Sequence, residues 1–540
     1  MRKIVFLFIL LINYGNIYSG NPNKGAKKNV APTSAAGCSN AVASANLQLN
    51  NVRARIDGTG GALWLDRAGG FSAYEVPKRN NADDPKFTSI YSGALWMGGT
   101  DVNGQIKMAG VTFRSGNDFW PGPLDRTTAE INAEECSVFD QYWGVSRSQV
   151  NEFVAHYECT QDPDCNAAIE FPGYQVPDVI REWPAAGNVV QKGGSGPTYT
   201  IDPVEGLAPF FDRSKDGFYD PDDGDYPKYD LIGDIDCRTT RDLRLFGDTT
   251  IWFVFNDKGN VHTETGGASI GMEIRGQAFA FATNDEVNNM TFYNYEMINR
   301  STFTLTNTYF GQWVDSDIGD YNDDFVGCDA SRGLGFCYNG APIDNDNPGS
   351  GTIGYGATPP AVGIDFFEGP FADSDGFDNP LTQVVADALD SNGIPYPGLG
   401  IGYGDGIIDN ERYGMRKFVY YSAEQASFGG DPNTALEFYN YLQGIWKDGS
   451  QMVYGGNGHF STGGTVPADI AFPGDSDPLL WSTRGANVAT PNWSEFNAAG
   501  GGLPNNAGDR RFLESAGPFT LEPGNVNDLT VGVVWARAVS

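Results

Sequence analysis

IWFVFND (251–257), GMEIRGQAFAFAT (271–283), MTFYNYEMIN (290–299) and FTLTNTYFGQWV (303–314) follow one another along the chain with turns between them. β-Branched and aromatic residues dominate all four runs, and such side chains suit a pleated, half-buried surface. Phe279 and Phe281 alternate with small residues, while Phe292 and Tyr293 sit beside Tyr295. The breaks are Asn-Asp and Asn-Arg-Ser turns. This pattern predicts an antiparallel β-sandwich.

Working outward, residues 47–119 carry short apolar runs punctuated by glycine, and Asp101-Val102-Asn103-Gly104 predicts a hairpin. Residues 130–135 and 146–156 read as helical, with Thr128 or Ser148 as caps. Residues 338–410 are loop-rich and acidic. The best helix is 434–446 (TALEFYNYLQGIW), with Leu436, Tyr439, Leu442 and Gln443 on one stripe. The end (FTLEPG, then LTVGVVWARAVS) returns to strand, turn, strand. No turn or stop follows that last strand, which predicts a chain cut before its natural end. The expected class is mainly β: antiparallel β-sandwich-like modules with a few inserted helices and calcium-binding loops. The expected division is a signal peptide (1–19), a flexible leader (20–46), a β-rich module with a helical insert (47–200), a sandwich-like module with acidic loops (201–430), and a helix with C-terminal strands (431–540).

Lys and Arg number 35 against 68 Asp and Glu, so the formal charge is −33. That excludes general attraction to nucleic acid phosphates or anionic lipid. A chain with 40% hydrophobic and 13% aromatic residues builds large cores, and 70 Gly with 31 Pro favours many short strands. Met1-Arg2-Lys3, the apolar run 4–12 and small polar residues up to Ser19-Gly20 have the form of a secretory signal peptide. No later segment is apolar for long enough to span a bilayer. Seven cysteines in an exported chain predict disulfides. Cys159 with Cys165 and Cys328 with Cys337 flank short turns suited to local loops, and a long-range Cys136–Cys237 pair would leave Cys38 odd.

Residues 212–225 (DRSKDGFYDPDDGD) carry the clearest chemistry. Asp212, Ser214, Asp216, Asp220 and Asp223 stand at positions one, three, five, nine and twelve of an oxygen-ligated calcium loop. Gly217 takes the sharp-turn position six, and Phe218 at seven offers its backbone carbonyl. A second acidic run holds Asp315, Asp317, Asp320, Asp323, Asp324 and Asp329, whose carboxylates repel one another unless a cation neutralises them. A third set comprises Asp375, Asp405 and Asp409, in two Asp-Gly fragments that each supply half a loop. Calcium is the expected cofactor, because such density of hard oxygen ligands suits it.

Other chemistries find little support. The three histidines, His156, His262 and His459, are far apart and form no zinc-type spacing. Gly267-Ala-Ser269-Ile-Gly271 has the G-x-S-x-G form, yet a strand-like run follows it where a nucleophile elbow needs a helix. Trp64, Trp96, Trp120 and Trp143 read as core residues.

GALWMGGTDVNGQIKMAG (93–110), SGNDFWPGPLD (115–125), the 212–227 loop, HTETGG (262–267), GQWVDSDIGDYNDDFVGCDASRGLGFCYNG (311–340) and DRRFLESAGPFTLEPG (509–524) stand in order along the chain. Together they resemble a family of large exported Bacteroidota proteins over residues 47–540. The resemblance implies cargo of the type IX secretion system, delivered to the cell surface or medium. Such cargo carries a C-terminal sorting domain that this sequence does not contain. The resulting expectation is a secreted or cell-surface, calcium-stabilised structural or adhesive protein. Its expected partners are calcium ions, a surface glycan or protein, and the type IX export machinery, with no nucleic acid and no transmembrane segment. The rival reading is a secreted hydrolase acting on polysaccharide or peptide.

Overall fold

Each of the four aromatic-rich runs contains a strand: Thr249–Asn256, Met272–Ala280, Thr291–Asn299 and Leu305–Ser316. The first three lie side by side, antiparallel and in continuous register. The fourth leaves them for a different sheet. Asn299 redirects the chain there: its amide nitrogen donates to the carbonyls of Phe303 and Leu521, 3.1 and 2.9 Å away. The computed structural model describes residues 36–231, 244–389, 400–422, 427–489, 491–498 and 502–538. The expected signal peptide, the first part of the expected leader and Cys237 lie outside the described residues.

Sheet I runs in the order Ser44–Leu47, Arg53–Asp57, Ala62–Leu63, Thr88–Thr100, Leu305–Ser316, Arg510–Leu521, Lys417–Tyr421. Sheet II runs Trp143–Ser146, Thr249–Asn256, Met272–Ala280, Thr291–Asn299, Val526–Ala536, Ala361–Glu368, Leu334–Asn339, Asp324–Asp329. All the pairings within both are antiparallel. The sheets face each other across one hydrophobic core that takes residues from nearly every strand. Polar side chains pin them together at named points. Trp64 donates its indole N–H to the Tyr293 hydroxyl at 2.7 Å, and Trp535 donates to Ser89 at 3.1 Å. Gly335 donates its backbone N–H to Glu514 at 2.8 Å.

Both outer faces are covered too. The helix Ala435–Leu442 packs on sheet I, where Phe438 lies 4.6 Å from Trp96 between ring centres. Trp143, Val145, Trp252 and Val254 of sheet II form a second core with Val150, Phe153 and Trp183. Two of those residues come from the helix Arg147–Gln161, whose cap is Ser146, with Gln149 completing a reciprocal box. The helix Ala133–Phe139 is capped in the same way by Asn132 and Glu135. The caps expected at Thr128 and Ser148 are therefore replaced by residues that place an oxygen nearer the first free N–H groups. No helix among the described residues is long and apolar enough to cross a membrane.

The boundaries expected near residues 200 and 430 do not coincide with the sheets. Sheet I takes strands from residues 44–109, 305–316, 417–421 and 510–521, and sheet II is as dispersed. Nor is the leader free throughout. Cys38 is disulfide-bonded to Cys136, and the backbone N–H groups of Val42 and Ala43 donate to Asp140. The expected Cys136–Cys237 pair is thus corrected: the helix Ala133–Phe139 turns Cys136 into a small core with Trp120, against which Cys38 is already packed. Cys159–Cys165 forms as expected. Cys328 and Cys337 are buried free thiols, because the hairpin register pairs Cys328 with Gly335 and Cys337 with Val326. That diagonal offset separates them further than a disulfide spans. Within the acidic stretch 338–410, Ala361–Glu368 is a central strand of sheet II, flanked by glycine and proline that hid it.

Candidate metal centre

The 212–225 loop closes on itself. Asp212 accepts from the N–H groups of Lys215 and Gly217, at 2.6 and 2.9 Å, and from the Ser214 hydroxyl at 3.2 Å. Gly217 makes this possible at φ +83°, a conformation that side-chain-bearing residues rarely adopt. Asp216 accepts from Phe218 N–H at 2.8 Å, and the Phe218 ring is half exposed against Gly187. Asp220 caps the turn Pro221–Asp223, which leaves Asp223 at the surface. The staple at the far end is Asp225, fully buried and given no ligand position in the sequence reading. Its two oxygens accept from Arg213 N–H at 2.8 Å and Asp220 N–H at 3.0 Å, joining the loop's ends. Burial lifts its carboxyl above the ordinary range.

The two Asp-Gly fragments interlock. Asp409 accepts from the N–H groups of Asp375 and Gly376, at 2.7 and 2.9 Å. In return Asp378 accepts from Gly404 and Gly406, both at 2.7 Å. Asp375 and Asp405 each turn back on their own fragment, accepting from Phe377 and Ile407 at 2.9 Å. Glu411, buried, receives the N–H of Asn379 and so ties the second fragment to the first. Asp375, Asp405 and Asp409 thus meet in one assembly, together with Asp378 and Glu411 of the same two fragments.

The 315–329 run divides. Asp329 belongs to the hairpin turn, where Ser331 and Arg332 bind it. It lies a whole strand away from Asp324, roughly 17 Å at strand rise. Asp320, Asp323 and Asp324 turn towards Asp344: the Asp320 N–H donates to Asp344 at 3.1 Å. Asp324 is fully buried and accepts from Ile318 N–H at 3.0 Å. Burial, with Asp344 and Asp320 nearby, pushes Asp323 up to about 6. Asp315 and Asp317 instead join Asp509, with one carboxylate oxygen of each lying within 4.8 Å of the others.

Asp315 sits in a cross-strand row. Ser92, Asp315, Arg511 and Tyr421 stand directly opposite one another on four adjacent strands of sheet I. Directly opposed residues share a face. It is the outer face, roofed by the Phe113 ring 5.0 Å from the Arg511 guanidinium. Arg511 lies 3.1 Å from Asp315, 3.1 Å from Asp509 and 3.6 Å from Asp431. Burial raises the Asp315 carboxyl well above the usual range, Arg511 opposes that, and Asp317, Asp509 and Asp431 add to it. Asp509, Asp431, Ser92 and Arg511 carried no spacing signal, because each comes from a distant segment.

Two histidines hold other arrangements. His262 is buried between Asp118 and Asp257, 3.6 and 3.7 Å away. Its ring nitrogens face the carbonyls of Met108 and Asp257, at 2.8 and 2.5 Å. His262 is therefore a core contact. At His459, Nδ1 accepts from the Ser461 hydroxyl at 2.7 Å, while Nε2 lies 3.5 Å from Asp448. The same Nδ1 takes the Ser461 backbone N–H at 3.3 Å, which makes it the cap of the turn Phe460–Thr462. The N–H groups of Thr462 and Gly463 are spent on the carbonyls of His459 and Phe460 and do not form an oxyanion hole. No protein-family model matches this chain, and no curated protein matches it.

Proposed function

We propose that this is an exported structural or adhesive protein, held in shape by calcium at its acidic loops. The closure of the 212–225 loop carries the reading: a position-six glycine donates its N–H to a position-one aspartate, at 2.9 Å. That bond presets the tight wrap in which alternate oxygens converge on one hard cation. Oxygen is the only ligand chemistry offered there, and it matches the millimolar calcium of extracellular modules. Two disulfides support a working place in an oxidising compartment. The motif resemblance supports surface delivery as type IX cargo, with a glycan or protein as the adhesive partner.

Calcium binding to the folded state alone stabilises it by about 2.7 kcal/mol at a hundredfold excess over Kd. The expected outcome is a higher melting temperature in millimolar calcium chloride than in EGTA, with slower proteolytic nicking between Asp212 and Asp225. Asp216→Asn should reduce both effects. Melting curves and cleavage patterns that coincide with and without EGTA would overturn the proposal.

A further inference from the structure

We propose that Asp315, Asp317 and Asp509 hold one hard divalent cation, with the Ser92 hydroxyl as a further oxygen ligand, at the end of sheet I. This adds a site to the calcium reading of the loops and is tested separately from it. Ser316 pairs with Arg510 across two central strands. Asp317 follows that pair on one strand and Asp509 precedes it on the other, so both leave the sheet at the same place. Asp315 stands beside them on the outer face, and the three carboxylates converge within 4.8 Å. An ion with oxygen distances of about 2.4 Å fits among them after small side-chain movements.

The formal charges favour a further cation. Asp315, Asp317, Asp431 and Asp509 make four carboxylates, and among the described residues Arg511 is the one base within ion-pair distance of any of them. Four negative charges against one positive leave −3 formally, in a place where Asp315 and Arg511 are almost wholly buried. Arg511 does not satisfy Asp315 either. Its Nε–H is 3.1 Å from Oδ1 but is not directed at it, and neither atom has a hydrogen-bond partner.

Ser92 supplies an independent observation. It is 1% exposed, directly opposite Asp315, and its hydroxyl oxygen has no hydrogen-bond partner. Buried hydroxyls are nearly always satisfied, so an unpartnered one beside converging carboxylates points to a missing ligand. One oxygen each of Asp315 and Asp509, within the same carboxylate cluster, is also buried without a partner. A cation accounts for the Ser92, Asp315 and Asp509 oxygens at once, because it takes lone pairs and not hydrogens. Calcium suits the site better than magnesium, since donors drawn from three separate segments match its flexible oxygen geometry and not the strict octahedron that magnesium demands.

The test uses the full chain stripped with EGTA and titrated with calcium chloride by calorimetry, with melting measured in parallel. Asp317→Asn with Asp509→Asn should bind one ion fewer per chain than wild type. In EGTA this variant should melt at or above wild type, because two repelling charges are gone, and its calcium-induced rise should be smaller. Ser92→Ala, which keeps every carboxylate, should weaken one site about tenfold. A loop variant, Asp216→Asn with Asp405→Asn, should keep this site while losing loop ions. If that variant alone matches wild type in stoichiometry, the loop reading fails and this one stands. Unchanged stoichiometry in the Asp317/Asp509 variant, or in Ser92→Ala an unchanged affinity at every site, overturns the inference.

Discussion

His262 carries hydrogens on both ring nitrogens, because both face carbonyl oxygens that only accept. It is therefore an imidazolium held between Asp118 and Asp257. Burial alone would lower its pKa, but the two carboxylates outweigh that and raise it above the ordinary value. A raised folded pKa contributes stability that is complete below the unfolded value, about 6.5, and is lost as pH rises through the folded value. We predict that His262→Gln costs about 3 kcal/mol at pH 6, since it leaves two buried carboxylates unbalanced. The cost should shrink at alkaline pH, and denaturant unfolding at pH 6 and pH 9 measures both; equal costs would contradict a charged ring. Nothing local announced this role. His262-Thr-Glu264 looks like a polar turn, and Asp118 lies far back in the sequence. The turn at Asp212 was legible for the opposite reason: its hydrogen-bond partners lie within the next few residues, so the local sequence describes how the loop closes.

At the scale of elements, periodicity revealed the aromatic-rich strands but not Ala361–Glu368, nor what lies on either side of any of them. The hairpin at Asp101–Gly104 forms between Thr88–Thr100 and Ile106–Ala109, as its turn chemistry required. The helix expected over 434–446 forms as Ala435–Leu442, with Thr434 as its cap. Tyr439 and Leu442 of the expected stripe are buried, but Leu436 is exposed and Phe438 and Tyr441 are buried in addition. A helix of eight residues can present several apolar faces, and only the shape of sheet I selects among them. Phe438 wins because it fits beside Trp96, itself stacked 5.7 Å from Trp313. Phe438→Ala should cost about 3–5 kcal/mol and Thr434→Ala about 1 kcal/mol, measured by denaturant unfolding. The reverse order would mean that the cap, and not the aromatic contact, holds the helix down.

At the scale of the whole molecule, Cys38–Cys136 closes a loop with a sequence separation of 98 residues. Removing a constraint of that length costs about 4–5 kcal/mol on a chain-entropy basis. Cys38→Ser with Cys136→Ser should lower the denaturation midpoint accordingly in calcium-saturated buffer, and an unmoved midpoint would show that the first strand is held by sheet pairing alone. Composition, strand runs and turn acids are local properties, and a mainly β, strongly acidic protein with a closed 212–225 loop follows from them. Whether Leu305–Ser316 continues its neighbours' sheet or founds the opposite one is not local. Nor is the meeting of Asp509 with Asp315, of Asp409 with Asp375, or of Cys38 with Cys136. Each depends on sheet register across dozens to hundreds of residues, where many pairings satisfy the same alternation of apolar and polar side chains. The sequence by itself determined the aromatic-rich segments that become strands and where carboxylates concentrate. Tertiary structure alone decided which of them meet, because burying both faces of two sheets leaves a single arrangement in which every strand finds its partner.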